Sequence, residues 1–296
     1  MTRPLNGYVI VLVSALLLGT LGVFSKLFFD AGGEPFTLLV LRFAAGGPLL
    51  VLIALARRER WPSRRGIALG ASLGALQLGA AYALFEGFAR APVGLVVLVF
   101  FCYPLIVAVG AAFLFGEELG VRRVSVLALG TAGVALTVGA PESANAAGIV
   151  LGLVAGLCVA GLVLSARALT TTGGIAPLVL CGLMFTSPLL VLVPVTAARG
   201  VDLDLSGEAW LWAAGAVIVS VVLPIALFYT GVQMVGAGAA SILGVGEPLA
   251  GVLLAYAVLS ESLTGLQLVG GLLIVAAVVL LSLHTARTPT PANSAS

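Results

Sequence analysis

Charge is what this sequence has least of. Only 9% of its 296 residues are Asp, Glu, Lys or Arg, whereas a soluble domain carries about 25%. No water-facing surface of ordinary size could be covered with so few. Metal and redox chemistry also lack their residues. There is one histidine, His284, and the three cysteines Cys102, Cys158 and Cys181 lie far apart inside apolar segments with no ligand spacing, which excludes a disulfide framework or a Cys/His metal site and leaves them as small apolar-segment residues. The net charge of +2 comes with no basic run interleaved with aromatics, so nothing points to nucleic acid. No phosphate-cradling glycine loop and no pair of catalytic carboxylates occurs, so no cofactor is expected. Gly70-Ala-Ser72-Leu-Gly74 fits the Gly-x-Ser-x-Gly hydrolase pattern, but that pattern needs a strand-to-helix turn with a His and an acid nearby. Here it falls inside an apolar run.

What the chain has instead is hydrocarbon. Hydrophobic residues make up 61% of it and the mean hydropathy is +1.22, which makes it an integral membrane protein. Spans need about 20 apolar residues each. They are expected at 5–29, 35–56, 66–89, 92–115, 121–139, 147–168, 175–198, 209–234, 237–259 and 264–284. The fold class is therefore all-α and transmembrane, with ten helices. Arg3 precedes the first apolar stretch as in a signal peptide, yet that stretch recurs later in the chain, so it reads as an uncleaved span. The Ala-, Thr-, Pro-, Ser- and Asn-rich segment 285–296 is expected to be a disordered cytoplasmic tail.

Basic residues set the orientation. With the N-terminus inside, the inner loops hold Arg57, Arg58, Arg60, Arg64, Arg65, Arg122, Arg123 and Arg167, and the outer loops only Arg90 and Arg199. Asp30, Glu34, Glu142, Asp202, Asp204, Glu208 and Glu261 fall outside. Both termini are expected in the cytoplasm, with the chain in the cell (inner) membrane.

An internal repeat runs through the chain. Pro48-Leu-Leu-Val-Leu52 returns as Pro188-Leu-Leu-Val-Leu192, and Ala83-Leu-Phe85 as Ala226-Leu-Phe228. Pro104 with Glu117 returns as Pro248 with Glu261, and Gly7 with Lys26 as Gly148 with Arg167. Each half holds an odd number of spans, so the second must insert upside down. The expected architecture is a 5+5 inverted-topology repeat, with units at 1–140 and 147–284. Glycines every four residues, at 66, 70 and 74 and at 148, 152 and 156, mark faces for close helix packing in lipid. Internal packing is the favoured reading, so the expected state is a monomer or weak dimer.

The matching prolines mark weak points. Proline removes an amide donor and clashes four residues back, so Pro248 should release the carbonyl of Gly244, and Pro104 that of Phe100. Proline-interrupted spans at corresponding places in two halves are the best sequence pointer to a transport site. Gly244, Gly246, Pro104 and Pro248 are thus candidate hinges. Glu247, beside Pro248, would cost about 2.5–3.5 kcal/mol if ionised at mid-bilayer. It therefore satisfies the freed backbone, contacts a solute ammonium, or carries a coupling proton. Gln77, Tyr82, Tyr103, Ser220, Tyr229 and Ser241 are the polar groups nearest the breaks and are the candidate pocket wall with Glu247. Lys26, Arg42 and Glu86 form a third group near the outer surface. Arg42, about 10 Å deep, is expected to pair with Glu86 or Asp30, as scaffold or as an outer gate. The second half has Gly182 in place of Arg42 and Tyr229 in place of Glu86.

Together these features resemble the EamA-type transporters of the drug/metabolite transporter superfamily. The likeness rests on the five-plus-five spans, Arg42-Phe43, Ala91-Pro-Val-Gly-Leu95, Tyr103-Pro104, Gly116-Glu117, Glu247-Pro248 and Ser260-Glu261, over about residues 7–283. Ser260 departs from the family's glycine there. The resemblance implies export of small metabolites, often amino acids or related compounds, from a central cavity reached alternately from each side. The partners expected are that solute, the lipid bilayer and, as a candidate coupling ion, the proton. A membrane-embedded enzyme or a channel is the alternative, but the chain supplies no clustered acid, base and nucleophile and no polar face along several spans.

Overall fold

The structure, a computed structural model, describes residues 3–115, 120–138, 146–171, 173–236, 240, 243–244 and 246–287. It is helical almost throughout, with no strand among these residues. Seven helices are long and apolar enough to cross a bilayer, and Val124–Gly133, Gly246–Leu259 and Gly265–Leu280 are shorter apolar helices. They stand where the sequence places spans. In lipid every backbone group must be satisfied within the segment, and runs this apolar have only the helix with which to do it. The caps follow local chemistry. Ser63 and Ser206 accept the amides of Gly66 and Ala209 at the starts of the third and eighth spans. Gly200 and Gly236 end the seventh and eighth at φ 81° and 82°, a conformation that costs glycine little.

Packing is reciprocal between the halves. The first span packs on the eighth and the third on the sixth. The second packs on the seventh, the fourth on the ninth, and the fifth on the tenth. Exchanging the two halves maps this set of pairs onto itself, as an inverted repeat requires. The anticipated glycine faces take part. Gly70 and Gly74 lie against Leu183 and Met184 of the seventh span, while Gly148 lies on Ala91 at the end of the third and Gly152 and Gly156 along Val96 and Phe100 of the fourth. Large apolar side chains such as Phe113, Leu190 and Tyr256 remain exposed on the outside, where the bilayer is the solvent.

Several spans are interrupted, and the prolines account for only some of the breaks. The fourth divides into Val93–Phe100 and Tyr103–Phe115, and the ninth resumes as Gly246–Leu259, as Pro104 and Pro248 foretold. The expected free carbonyl at Gly244 is not free, because the amide of Glu247 donates to it at 3.0 Å. That of Phe100 faces the sixth span, 3.1 Å from where a Cβ on Gly156 would stand. Pro48 and Pro194 sit within helices, whereas the seventh span divides at Ser187-Pro188 and the third at Leu73. The first span breaks at Thr20 between Arg3–Gly19 and Leu21–Asp30, without any proline. The eighth passes through a π-helical stretch, Gly215–Val222, just ahead of Pro224. Such stretches concentrate at functional sites.

Candidate functional site

The breaks of the first, fourth, eighth and ninth spans converge on one cavity of about 750 Å³ lined from both halves. Leu18, Gly19, Leu21 and Gly22 bring the interruption of the first span to its wall, and Ser220 brings the π-helical stretch of the eighth. The hydroxyls of Thr20 and Ser220 lie 2.7 Å apart and tie the two interruptions together. Glu247 enters from the first turn of the ninth-span helix, where the positive end of the helix dipole favours a carboxylate. Gly19 backs it closely. A Cβ there would lie 2.6 Å from the Glu247 carbonyl oxygen and 2.9 Å from the Gly251 amide, so only glycine lets the two backbones meet.

Gln77, Ser220, Tyr229 and Glu247 line the cavity together. The Tyr229 hydroxyl lies 3.2 Å from Cys181 Sγ, which also lines it. Two tyrosines expected in the wall stand elsewhere. Tyr82 is 47% exposed on the outer surface. Tyr103 packs on Phe100 and Phe101, with ring centroids 5.3 and 5.8 Å away, and is not a lining residue. Tyr82 faces outward, and Tyr103 stands behind the Phe100 and Phe101 rings that line the cavity. Ser241 lies outside the described residues. Of the hinge candidates, Pro248 is buried and Pro104 half-buried beside the breaks, and Gly246 packs near Leu12 and Ala15 of the first span.

The expected cluster of Lys26, Arg42 and Glu86 does not form. Lys26 pairs with Asp30 at 3.1 Å, and Glu86 pairs with Arg90. Each acid finds a cation four residues away on its own helix, the spacing that brings side chains together. Arg42 is left to the interior. It is 8% exposed, lines the cavity, and holds its guanidinium between the rings of Phe85 and Phe185 at 5.6 and 5.4 Å. Nε and Nη1 have no hydrogen-bond partner. Among the described residues neither Arg42 nor Glu247 has a salt-bridge partner. The local pairs Lys26/Asp30 and Glu86/Arg90 were the sequence signal that would have separated Arg42 from the surface group.

The two ends of the cavity differ. Arg167, Thr170 and Pro177 line one end, and Arg167 is exposed. Beyond Arg42, at the other end, Phe28, Phe36, Phe88 and Val93 are buried. There the Glu261 carboxylate accepts the amides of Val93 at 2.8 Å and Gly94 at 3.0 Å, so an acid of the second half caps a helix of the first.

Comparison with known proteins fits this architecture. The chain matches the EamA-like transporter family over residues 5–139 and 146–283, two copies that fit the internal repeat. It is 28% identical over 274 residues to an uncharacterized transporter of Archaeoglobus fulgidus, covering 93% of this chain and 95% of that one. It is 36% identical over 98 residues to the uncharacterized inner membrane transporter YicL of Salmonella typhimurium, a third of each chain (33%). A protein solved by crystallography shares the fold with a TM-score of 0.67 at 20% identity, over 94% of this chain and 99% of that one. This multi-pass membrane protein, its cavity enclosed between two reciprocally packed halves, belongs to the EamA-like transporter family, within the drug/metabolite transporter superfamily.

Proposed function

We propose that this chain is a secondary transporter that moves small metabolites, amino acids or related compounds, out of the cell by alternating access. The carrying observation is a cavity of about 750 Å³ lined by both halves, with the exposed Arg167 at one end and buried aromatics beyond Arg42 at the other. The excess of Lys and Arg in alternate loops puts the Arg167 end in the cytoplasm. On that assignment the arrangement faces inward, with the cavity ready to load from the cytosol. The reciprocal pairing of spans supports the motion, because exchanging the roles of the halves yields a second packing of the same kind, open to the opposite side. Opening the sealed end must break the two bonds to Glu261, each worth about 1.5–3 kcal/mol as a hydrogen bond to a charged group. A solute that gains comparable contacts on closure can drive that exchange.

The test is a panel of labelled amino acids and cationic drugs offered to reconstituted vesicles with and without a pH gradient. Saturable flux of an amino acid class, lost on closing the cavity with Ser220→Trp, is the expected result. Flux unchanged by Ser220→Trp contradicts passage through this cavity. Dependence on the gradient that disappears in Glu247→Gln assigns that carboxylate the coupling proton. A gradient-independent flux makes the carrier facilitative.

A further inference from the structure

Two arginines end repeat-related spans on opposite faces of the membrane. Arg57 caps the second span, Pro35–Ala56, at the end that the basic loops place inside. Arg199 is the last residue of the seventh, Pro177–Arg199, at the outer end. At the inner face Arg57 is engaged across the halves. Its Nη2 donates to the Thr230 hydroxyl at 2.8 Å and to the Ala226 carbonyl at 3.4 Å, so the second span holds the inner end of the eighth. At the outer face the corresponding contact is not made. Arg199 lies over the Phe36 ring, 4.6 Å from its centroid. It shares with Glu86, Ala89 and Arg90 of the third span a cleft of about 480 Å³, completed by residues at the start of the second span, Glu34 and Phe36 among them. Glu86 is paired with Arg90 on its own helix.

The internal repeat relates the two corners. Ala83-Leu-Phe85 corresponds to Ala226-Leu-Phe228, so Ala226 and Thr230, which accept from Arg57, fall in register with Ala83 and Gly87, on either side of Glu86. We propose that Arg57 and Arg199 are alternate latches between the halves. Arg57 holds the eighth span back in the inward-facing arrangement. When the outer end opens, Arg57 lets go and Arg199 leaves Phe36 for the third span, with Glu86 as its acceptor. This rests on reading the chain as an alternating-access transporter. The repeat supplies no hydroxyl at Gly87, and Glu86 is the acceptor of the third span that lines the cleft. Its bond to Arg90 lies within one helix and persists in both arrangements, and a carboxylate has the lone pairs to accept from two guanidinium groups. The cleft is the room that the movement uses, and it closes as the third span comes over to Arg199. Arg57 and Arg199 are both exposed, where a charged contact is worth little, and that suits a latch released in every cycle.

The test uses the full chain in oriented vesicles, with Cys102, Cys158 and Cys181 replaced by alanine. Ala89→Cys with Arg199→Cys should crosslink under an oxidant, because closing the cleft brings the two Cα atoms within the roughly 7 Å that a disulfide needs. The crosslink should then stop a membrane-impermeant maleimide from labelling a third cysteine, Thr170→Cys, at the Arg167 face, and reduction should restore labelling. Phe88→Cys, at a buried cavity residue of the sealed end, reports outward opening by its labelling from the other face. Arg57→Gln should quicken that labelling by about threefold and Glu86→Gln should slow it by about threefold, the scale of one exposed charged contact. A general loss of stability would move both variants the same way. The latch is overturned if the crosslink does not form, if it forms without affecting Thr170→Cys, or if the two Gln variants shift Phe88→Cys labelling in one direction. Any of these, with Thr170→Cys labelled from the Arg167 face alone before oxidation, leaves the transporter reading standing. Equal labelling of Thr170→Cys from both faces before oxidation overturns that reading and the latch with it.

Discussion

The two halves of this molecule agree in scaffold and disagree in site. Their spans pack in pairs that survive exchange of the halves, yet the polar groups facing the cavity are not repeated. Arg42 has Gly182 as its counterpart, where a Cβ would lie 3.1 Å from Val51. Glu247 has Tyr103, which leans on Phe100 and Phe101. Alternating access needs symmetry in the packing, because the two end states must be comparable in energy. Recognition needs asymmetry in the lining, because a solute has a head and a tail. The comparison teaches that repeat positions can diverge freely in the cavity provided that the helix contacts do not.

The sharpest way to break the symmetry of the scaffold is at Gly19. Gly19→Val drives a side chain into the backbone of Glu247 and Gly251, atoms that cannot retreat, and should cost about 1–3 kcal/mol or more by overpacking. Its repeat-related span offers the contrast, because a Cβ on Gly161 would meet only Leu76 at 3.5 Å, an ordinary contact. Thermal melting in detergent should therefore fall clearly for Gly19→Val and hardly move for Gly161→Ala. Equal losses would show that the two spans are packed alike.

A smaller effect is expected at the diverged pair Tyr103 and Glu247. Glu247→Gln should reduce solute flux by about tenfold, the scale of one hydrogen bond to a charged group. Tyr103→Phe, which alters a residue that does not line the cavity, should leave flux within about twofold, far short of one such bond. Initial rates in vesicles at matched protein incorporation decide it, and a Tyr103→Phe loss as large as that of Glu247→Gln would put the tyrosine back in the wall.

The smallest effect contrasts the sealed end with the open one. Glu261→Gln keeps the shape but leaves one acceptor oxygen for the Val93 and Gly94 amides and sets an NH2 donor against the other, a loss of at least about 1 kcal/mol. Exchange of those two amides should quicken about fivefold by hydrogen-exchange mass spectrometry, with no change near Thr170. A uniform rise across the chain would mean that the bond stabilises the whole fold and not the closed end.

Much of the architecture was legible in the sequence, because lipid allows few solutions to an apolar run. Span positions, the five-plus-five repeat and the breaks at Pro104 and Pro248 follow from hydropathy, offset and missing amides. The break at Thr20 and the π-helical stretch before Pro224 were not legible, since each depends on a tertiary partner: Ser220 for Thr20, and the first span, whose Ser14 hydroxyl donates to the Pro224 carbonyl at 2.8 Å, for the eighth. In the site, Gln77, Ser220, Tyr229 and Glu247 emerged from polarity and nearness to a break. Tyr82 misled because nearness along a helix does not fix which face a residue shares, and Tyr103 because the adjacent Phe100 and Phe101 take the place at the wall. Arg42 misled because depth was judged from loop ends, while its supposed partners were already matched within their own helices.

The account depends on one gated cavity that the solute itself occupies. A single cysteine introduced as Thr170→Cys, with Cys102, Cys158 and Cys181 replaced by alanine, can be labelled with a membrane-impermeant maleimide from either face of oriented vesicles. Labelling should proceed from the Arg167 face alone and slow when transported solute is added at saturation. Equal labelling from both faces, or a rate indifferent to the solute, would contradict it.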